Sequence, residues 1–138
     1  MTFVLGFTGT RDGMTDAQEL MVWECLKRWR PTKLRHGDCR GADAQAHMLA
    51  IREGVYTIVH PPLDERWRAF CVADEVLEPR AYIQRDHDIV EESLALLAAP
   101  RTATEELRSG TWATIRYAWQ RHRPVVIVGP DGRIVEER

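Results

Sequence analysis

The chain has no cysteine pair at metal-ligand or redox spacing. Its three cysteines, Cys25, Cys39 and Cys71, are odd in number and far apart, so they build neither a disulfide framework nor a C-x-x-C zinc motif. Reduced thiols in a cytoplasmic protein that needs no metal or cofactor are the expectation. No apolar run approaches the roughly 20 residues of a membrane span. No basic segment precedes the apolar stretch near Met1, so neither a membrane association nor a secretory leader is expected. An excess of cations is missing too: 19 Lys and Arg stand against 21 Asp and Glu, for a formal net charge of -2. A protein whose main task is to grip nucleic-acid backbone usually carries the opposite sign. With no repeat, low-complexity tract or linker, residues 1–138 read as one domain.

What is present is alternation. Phe3 to Thr8 is an apolar run that reads as a buried first strand. Thr15-Asp16-Ala17-Gln18 matches a capping box, after which Val22, Cys25, Leu26 and Trp29 recur at helical spacing until Pro31. Lys33 to His36 is a brief strand, and Ala46, Leu49 and Ala50 mark a helix that Gly54 ends. Tyr56 to His60 is a third strand. The stretch from Pro61 to about Arg80 has no period, carries Trp67 and Phe70, and is of a length typical of lids and binding loops. Ala81 to Glu92 reads as a helix and Leu94 to Ala98 as a buried strand. Ile115, Ala118, Trp119 and His122 mark the next helix, Val125 to Val128 a strand, and Gly129-Pro130-Asp131-Gly132 a turn into Ile134-Val135. The order predicts an α/β fold: a single doubly wound, mostly parallel sheet with helices on both faces and a short antiparallel C-terminal edge.

Three glycine patterns fall where strands hand over to helices: Gly6-Phe7-Thr8-Gly9-Thr10-Arg11, Gly37-Asp38-Cys39-Arg40-Gly41-Ala42-Asp43 and Ser109-Gly110-Thr111. Loops after parallel strands open at one sheet edge, where ligands bind. Glycines let backbone N–H groups approach an anion, and the following helix N-terminus favours negative charge. The first pattern is neither the dinucleotide fingerprint nor a Walker A loop, but Arg11 supplies a bidentate phosphate partner that a bare turn does not need. In the second, Asp38 either caps the next helix or, like Asp43, accepts from ribose hydroxyls. His36 either packs or touches ligand. Arg85 is either a second phosphate clamp or a surface ion pair with Asp86 or Asp88. Trp112 suits the core better than base stacking, whereas Trp67 in the lid suits stacking.

Four blocks carry a resemblance: Gly9-Thr10-Arg11, His36-Gly37-Asp38-x-Arg40-Gly41-Ala42-Asp43, Tyr82-Ile83-Gln84-Arg85-Asp86-His87-Asp88-Ile89-Val90, and Ser109-Gly110-Thr111-Trp112-Ala113-Thr114-Ile115. In this order along the chain they resemble the SLOG superfamily, a Rossmann-like group that includes LOG phosphoribohydrolases and DprA-type DNA-processing proteins, and are most similar to its small YspA/YpsA-type branch. The resemblance implies a nucleotide-type ligand with phosphate over Ser109-Gly110-Thr111, a homodimer or higher homo-oligomer paired through helices, and ligand contacts from Gly9, Thr10, Arg11, Gly37, Asp38, Arg40, Gly41, Asp43 and Arg85. In LOG enzymes a glutamate follows the third glycine block and serves cleavage of the N-glycosidic bond; Thr114 stands at its place here. A hydroxyl does not stabilise oxocarbenium-like charge as an anion does.

Binding therefore outranks catalysis: a domain that senses or sequesters a nucleotide, ADP-ribose-like or a signalling nucleotide. A nucleoside-monophosphate N-glycosidase is the alternative, with Asp86 and Asp88, or Asp38, as its carboxylates. Single-stranded DNA binding is weaker, since Arg28, Arg30, Lys33 and Arg35 are the one dense basic stretch and read equally as a solvated helix end.

Overall fold

The computed structural model describes residues 2–138. Seven strands form one sheet: β1 (Val4–Gly9), β2 (Lys33–His36), β3 (Tyr56–Val59), β4 (Glu75–Val76), β5 (Ala95–Ala99), β6 (Val125–Val128) and β7 (Ile134–Glu137). Their spatial order is β4-β3-β2-β1-β5-β6-β7. All neighbours run parallel except β6 and β7, which are antiparallel. The α-helices are α1 (Asp16–Trp29), α2 (Ala42–Arg52), α3 (Tyr82–Glu91) and α4 (Gly110–Gln120).

Strand alternation divides the core. Leu5, Phe7, Leu97 and Ala99 point to one face, where they pack with Val22, Leu26, Ala46 and Leu49 of α1 and α2. Leu96 and Ala98 point to the other, against Val90 of α3 and Trp112, Ile115 and Ala118 of α4. Successive side chains on a strand take opposite faces, so helices on both sides are needed to cover this sheet. Gly6 faces α3, where a Cβ would press on Ser93 and Ile89.

The chain lays β1 to β4 outward on one side of β1, then returns to place β5 on the other side. Such a reversal opens a crevice beyond the carboxyl ends of the two central strands. Here that is the gap between the loops after Gly9 and after Ala99, which are register partners.

The Thr15 hydroxyl accepts from Gln18 N–H at 3.0 Å, and Gln18 Oε1 accepts from Thr15 N–H at 3.4 Å, the capping box read from the sequence. The buried Gln18 amide goes further. It donates to the Pro100 and Val128 carbonyls, 2.9 Å each, and so fastens α1 to the ends of β5 and β6. No helix is long and apolar enough to cross a membrane among the described residues.

Three local expectations are corrected. Asp38 does not cap α2; the residue before that helix is Gly41, at φ 87, with no side-chain cap. His122 lies beyond α4, at φ 57, because the helix ends at Gln120. The segment after β3 is not free of regular structure: a 3₁₀ turn at Glu65–Trp67 and β4 lie within it, with β4 adding an edge to β3.

Candidate functional site

A cavity of about 870 Å³ occupies the crevice. Gly9, Thr10 and Arg11 line it from the loop after β1, Gly37, Cys39 and Asp43 from the β2–α2 loop and α2, Tyr82, Arg85 and Asp86 from α3, and Ser109, Gly110 and Thr111 from the start of α4. The fold thus brings together ten of the candidate residues. Asp38, Arg40, Gly41 and Asp88 are not on its wall.

The third glycine block is an open helix N-terminus. The Ser109 hydroxyl accepts from Trp112 N–H at 3.2 Å, and no heavy atom outside the adjacent chain lies within 4 Å of a Cβ built on Gly110. The first N–H groups of a helix have no intrahelical partner, and with no side chain on Gly110 they open to the cavity at the dipole's positive end. Arg11, Arg101 and Arg108 stand around the mouth. Arg101 contacts Glu106 at 2.8 Å. Arg11 lies over the Trp67 ring, 4.9 Å from guanidinium to centroid. Arg101 and Arg108 sit in a polar loop with no period, so nothing in the sequence singled them out.

The part of the wall from the β2–α2 loop, α2 and α3 is built around Arg85. This residue is neither a free clamp nor a surface ion pair. It is buried, with Nε 3.0 Å from Asp86 Oδ1, Nη1 donating to the Gly37 carbonyl at 2.6 Å, and Nη2 donating to Cys39 Sγ at 3.5 Å. A Cβ on Gly37 would collide with this guanidinium; the glycine there makes room for Arg85. Asp86 is pushed up by desolvation and held back by Arg85. The one proton of the neighbouring Thr114 hydroxyl donates to the Gly110 carbonyl at 3.0 Å.

Asp38 anchors the segment 61–80 instead of facing the cavity. Its carboxylate accepts from Arg68 Nε at 3.0 Å and from Cys71 N–H at 2.9 Å, and its carbonyl accepts from Ala69 N–H at 2.7 Å. Arg40 N–H donates to the Trp67 carbonyl at 2.8 Å, which sets Trp67 beside Arg11. Asp88 pairs with Arg80. The basic stretch is divided: Arg30 ends α1 in a left-handed conformation, and Arg35 donates to His60 at 2.9 Å.

His36, His47 and Cys71 hold ligand-type atoms within 4.8 Å of one another, yet their bonding does not suit a metal. Asp38 N–H donates to His36 Nδ1 at 3.0 Å, so a neutral His36 carries its proton on Nε2. That proton goes to His47 Nδ1 at 2.9 Å, and His47 Nε2–H goes to the Val72 carbonyl at 2.9 Å. A cation on His36 Nε2 would move the proton to Nδ1, against the Asp38 N–H. Burial and a bond to Asp38 push the Cys71 thiol up to about 12, away from the thiolate a metal takes. Burial and its histidine neighbours hold His36 well below its usual range. The trio is bonded as a packing relay beneath the segment 61–80.

No protein-family model matches the chain, and no curated protein matches it in sequence. Solved structures match in fold. The molybdenum cofactor binding protein of Rippkaea orientalis superposes with TM-score 0.71 at 17% identity, over 94% of this chain and 77% of that one. The molybdenum cofactor carrier protein of Chlamydomonas reinhardtii gives 0.68 at 22% identity, over 92% and 76%. DNA processing protein A of Streptococcus pneumoniae gives 0.70 at 16% identity, over 91% of this chain and 50% of that one. The fold they share with this chain is the Rossmann-like one that the four sequence blocks implied.

Proposed function

We propose that the cavity binds a phosphorylated, nucleotide-like small molecule, with phosphate at the α4 N-terminus and the remainder toward Asp43. The observation that carries this is the uncapped face of Gly110 and Thr111, opening into the cavity between Arg11 and Arg108. Cations and free helix donors on a wall that also carries carboxyls suit a molecule with both an anionic group and a hydrogen-bonding body. The domain holds such a ligand as a sensor or carrier. The likeness to molybdenum cofactor carriers places that cofactor beside AMP and ADP-ribose as a ligand to test.

Thermal unfolding with each compound tests the reading. A ligand at 100 times its dissociation constant stabilises by roughly 2.7 kcal/mol, and Arg11→Ala is expected to reduce the shift. No shift with any of the three overturns the proposal.

One observation favours a second reading, cleavage of an N-glycosidic bond: Asp86 reaches Thr114 from the facing helix and so brings a carboxylate near the position where LOG enzymes carry glutamate. Release of free base from AMP, abolished in Asp86→Ala, would establish it; absence of release leaves binding alone.

A further inference from the structure

A buried carboxyl, Asp43, and a half-buried one, Asp86, flank one buried guanidinium in this cavity. Asp86 takes the direct ion pair with Arg85, 3.0 Å. The terminal nitrogens of Arg85 donate to the Gly37 carbonyl and Cys39 Sγ, and its ion pair within 4.0 Å is with Asp86, not Asp43. Asp43 is 5% exposed. One oxygen, Oδ2, accepts the Cys39 N–H at 3.2 Å; the other, Oδ1, has no partner. A buried carboxylate with one hydrogen bond and no contact ion carries an uncompensated desolvation cost.

The groups around it do not supply the missing charge. On its own loop, Asp38 is committed to Arg68 and Cys71. On α3, Arg85 attracts the ionised form while Asp86 repels it. Across the cavity, the loop after β1 offers Arg11 and Asp12, exposed and of opposite sign. Below, His36 is held neutral.

We propose that Asp43, on the cavity wall, is the cavity's hydrogen-bond donor: its carboxyl holds a proton and presents it to an acceptor atom of the ligand, a carbonyl oxygen or an unprotonated ring nitrogen. This rests on the binding reading above and reverses the acceptor role expected for Asp43 from the sequence. It narrows the ligand to one whose buried end carries an acceptor, as a nucleobase edge does. Burial, opposed by Arg85, pushes the Asp43 carboxyl up to about 7, so the protonated form is plentiful at neutral pH. If only that form binds, apparent affinity scales with its fraction and falls about tenfold from pH 6 to pH 8.

ADP-ribose serves as the probe because its pyrophosphate does not titrate in that interval. Calorimetry is run at both pH values on wild type and Asp43→Asn, whose amide donates at any pH. Wild type is expected to lose about tenfold in affinity and to take up nearly one proton per ligand bound at pH 8; Asp43→Asn is expected to show neither. Proton uptake is read on wild type alone, so it stands even if the variant folds poorly. Carboxyl-carbon NMR of the ligand-free protein should show Asp43 titrating near neutrality. Titration below pH 5, or binding with a flat profile and no proton uptake, overturns the donor assignment and leaves the pocket intact. Absence of ADP-ribose, AMP and cofactor binding altogether overturns the ligand reading, and the donor assignment with it.

Discussion

Arg85 reaches across 48 residues of sequence to the Gly37 carbonyl at 2.6 Å, and the space its guanidinium fills is the space a Cβ on Gly37 would need. The two positions are therefore coupled. Arg85→Ala strands Asp86 and is expected to cost about 3 kcal/mol, as breaking a buried pair does. Gly37→Ala costs stability through the clash. The double variant should be less destabilised than the sum of the two by about 1 kcal/mol or more, since removing the guanidinium relieves the collision. Urea unfolding of the three proteins checks this; strict additivity would contradict it.

Asp38 holds the segment 61–80 through Arg68 and Cys71. Asp38→Ala leaves both donors unpaired and is expected to cost about 2 kcal/mol. The sharper readout is local. Trypsin should cut after Arg66 and Arg68 faster in the variant, while amides of β1 and β5 keep their protection against hydrogen exchange. Equal cleavage in both proteins would show that Asp38 does not pin this segment.

Burial, aided by Arg35, lowers His60 from 6.5 to about 4, and its ring accepts from Arg35 at 2.9 Å. The neutral ring belongs to the folded state, whereas the unfolded chain binds a proton below pH 6.5. The stability contribution is therefore complete above pH 6.5 and is lost as pH falls toward 4. At pH 5 the loss from this group is about 2 kcal/mol. Wild type should lose that much relative to His60→Gln between pH 7.5 and pH 5 in urea titrations.

Gly110 faces open space, so Gly110→Ala is expected to leave the fold intact and to raise helix stability by a few tenths to about 1 kcal/mol. It also puts a methyl group over the free N–H groups. Binding of AMP should weaken severalfold while the melting temperature of the ligand-free protein holds or rises. A variant that binds as tightly as wild type would remove the α4 N-terminus from the site.

The sheet, its helices and its antiparallel edge were legible because each element carries its own period: Phe3 to Thr8 is apolar throughout, and Thr15 and Gln18 announce a helix start whatever follows. The two-residue β4 was not, since Glu75 and Val76 are too few to show alternation. Cavity residues on glycine loops were found because glycine and arginine at a strand end are unusual together. What those loops use their glycines for was hidden: Gly37 serves Arg85, and Gly41 sits against the Arg11 carbonyl, close approaches that exist only after folding. Asp38 and Asp43 are equivalent by sequence, five residues apart and both acidic, and only burial and partners divide them into an anchor of the segment 61–80 and a cavity group. The five tryptophans are mostly accounted for inside: Trp112 is buried, Trp23, Trp29 and Trp119 pack against the cores, and Trp67 is the exposed one.

Gly9 and Ala99 are register partners although they stand ninety positions apart in the chain. During synthesis β1 is made first, yet its neighbour on the cavity side arrives only with β5, and the helix end that faces the ligand arrives with α4. Contacts of such long separation form late and slowly. Until β5 has emerged the nascent chain carries β1 with one flank bare, and until α4 has followed it has no binding site, so a ligand can assist only the last stage of folding.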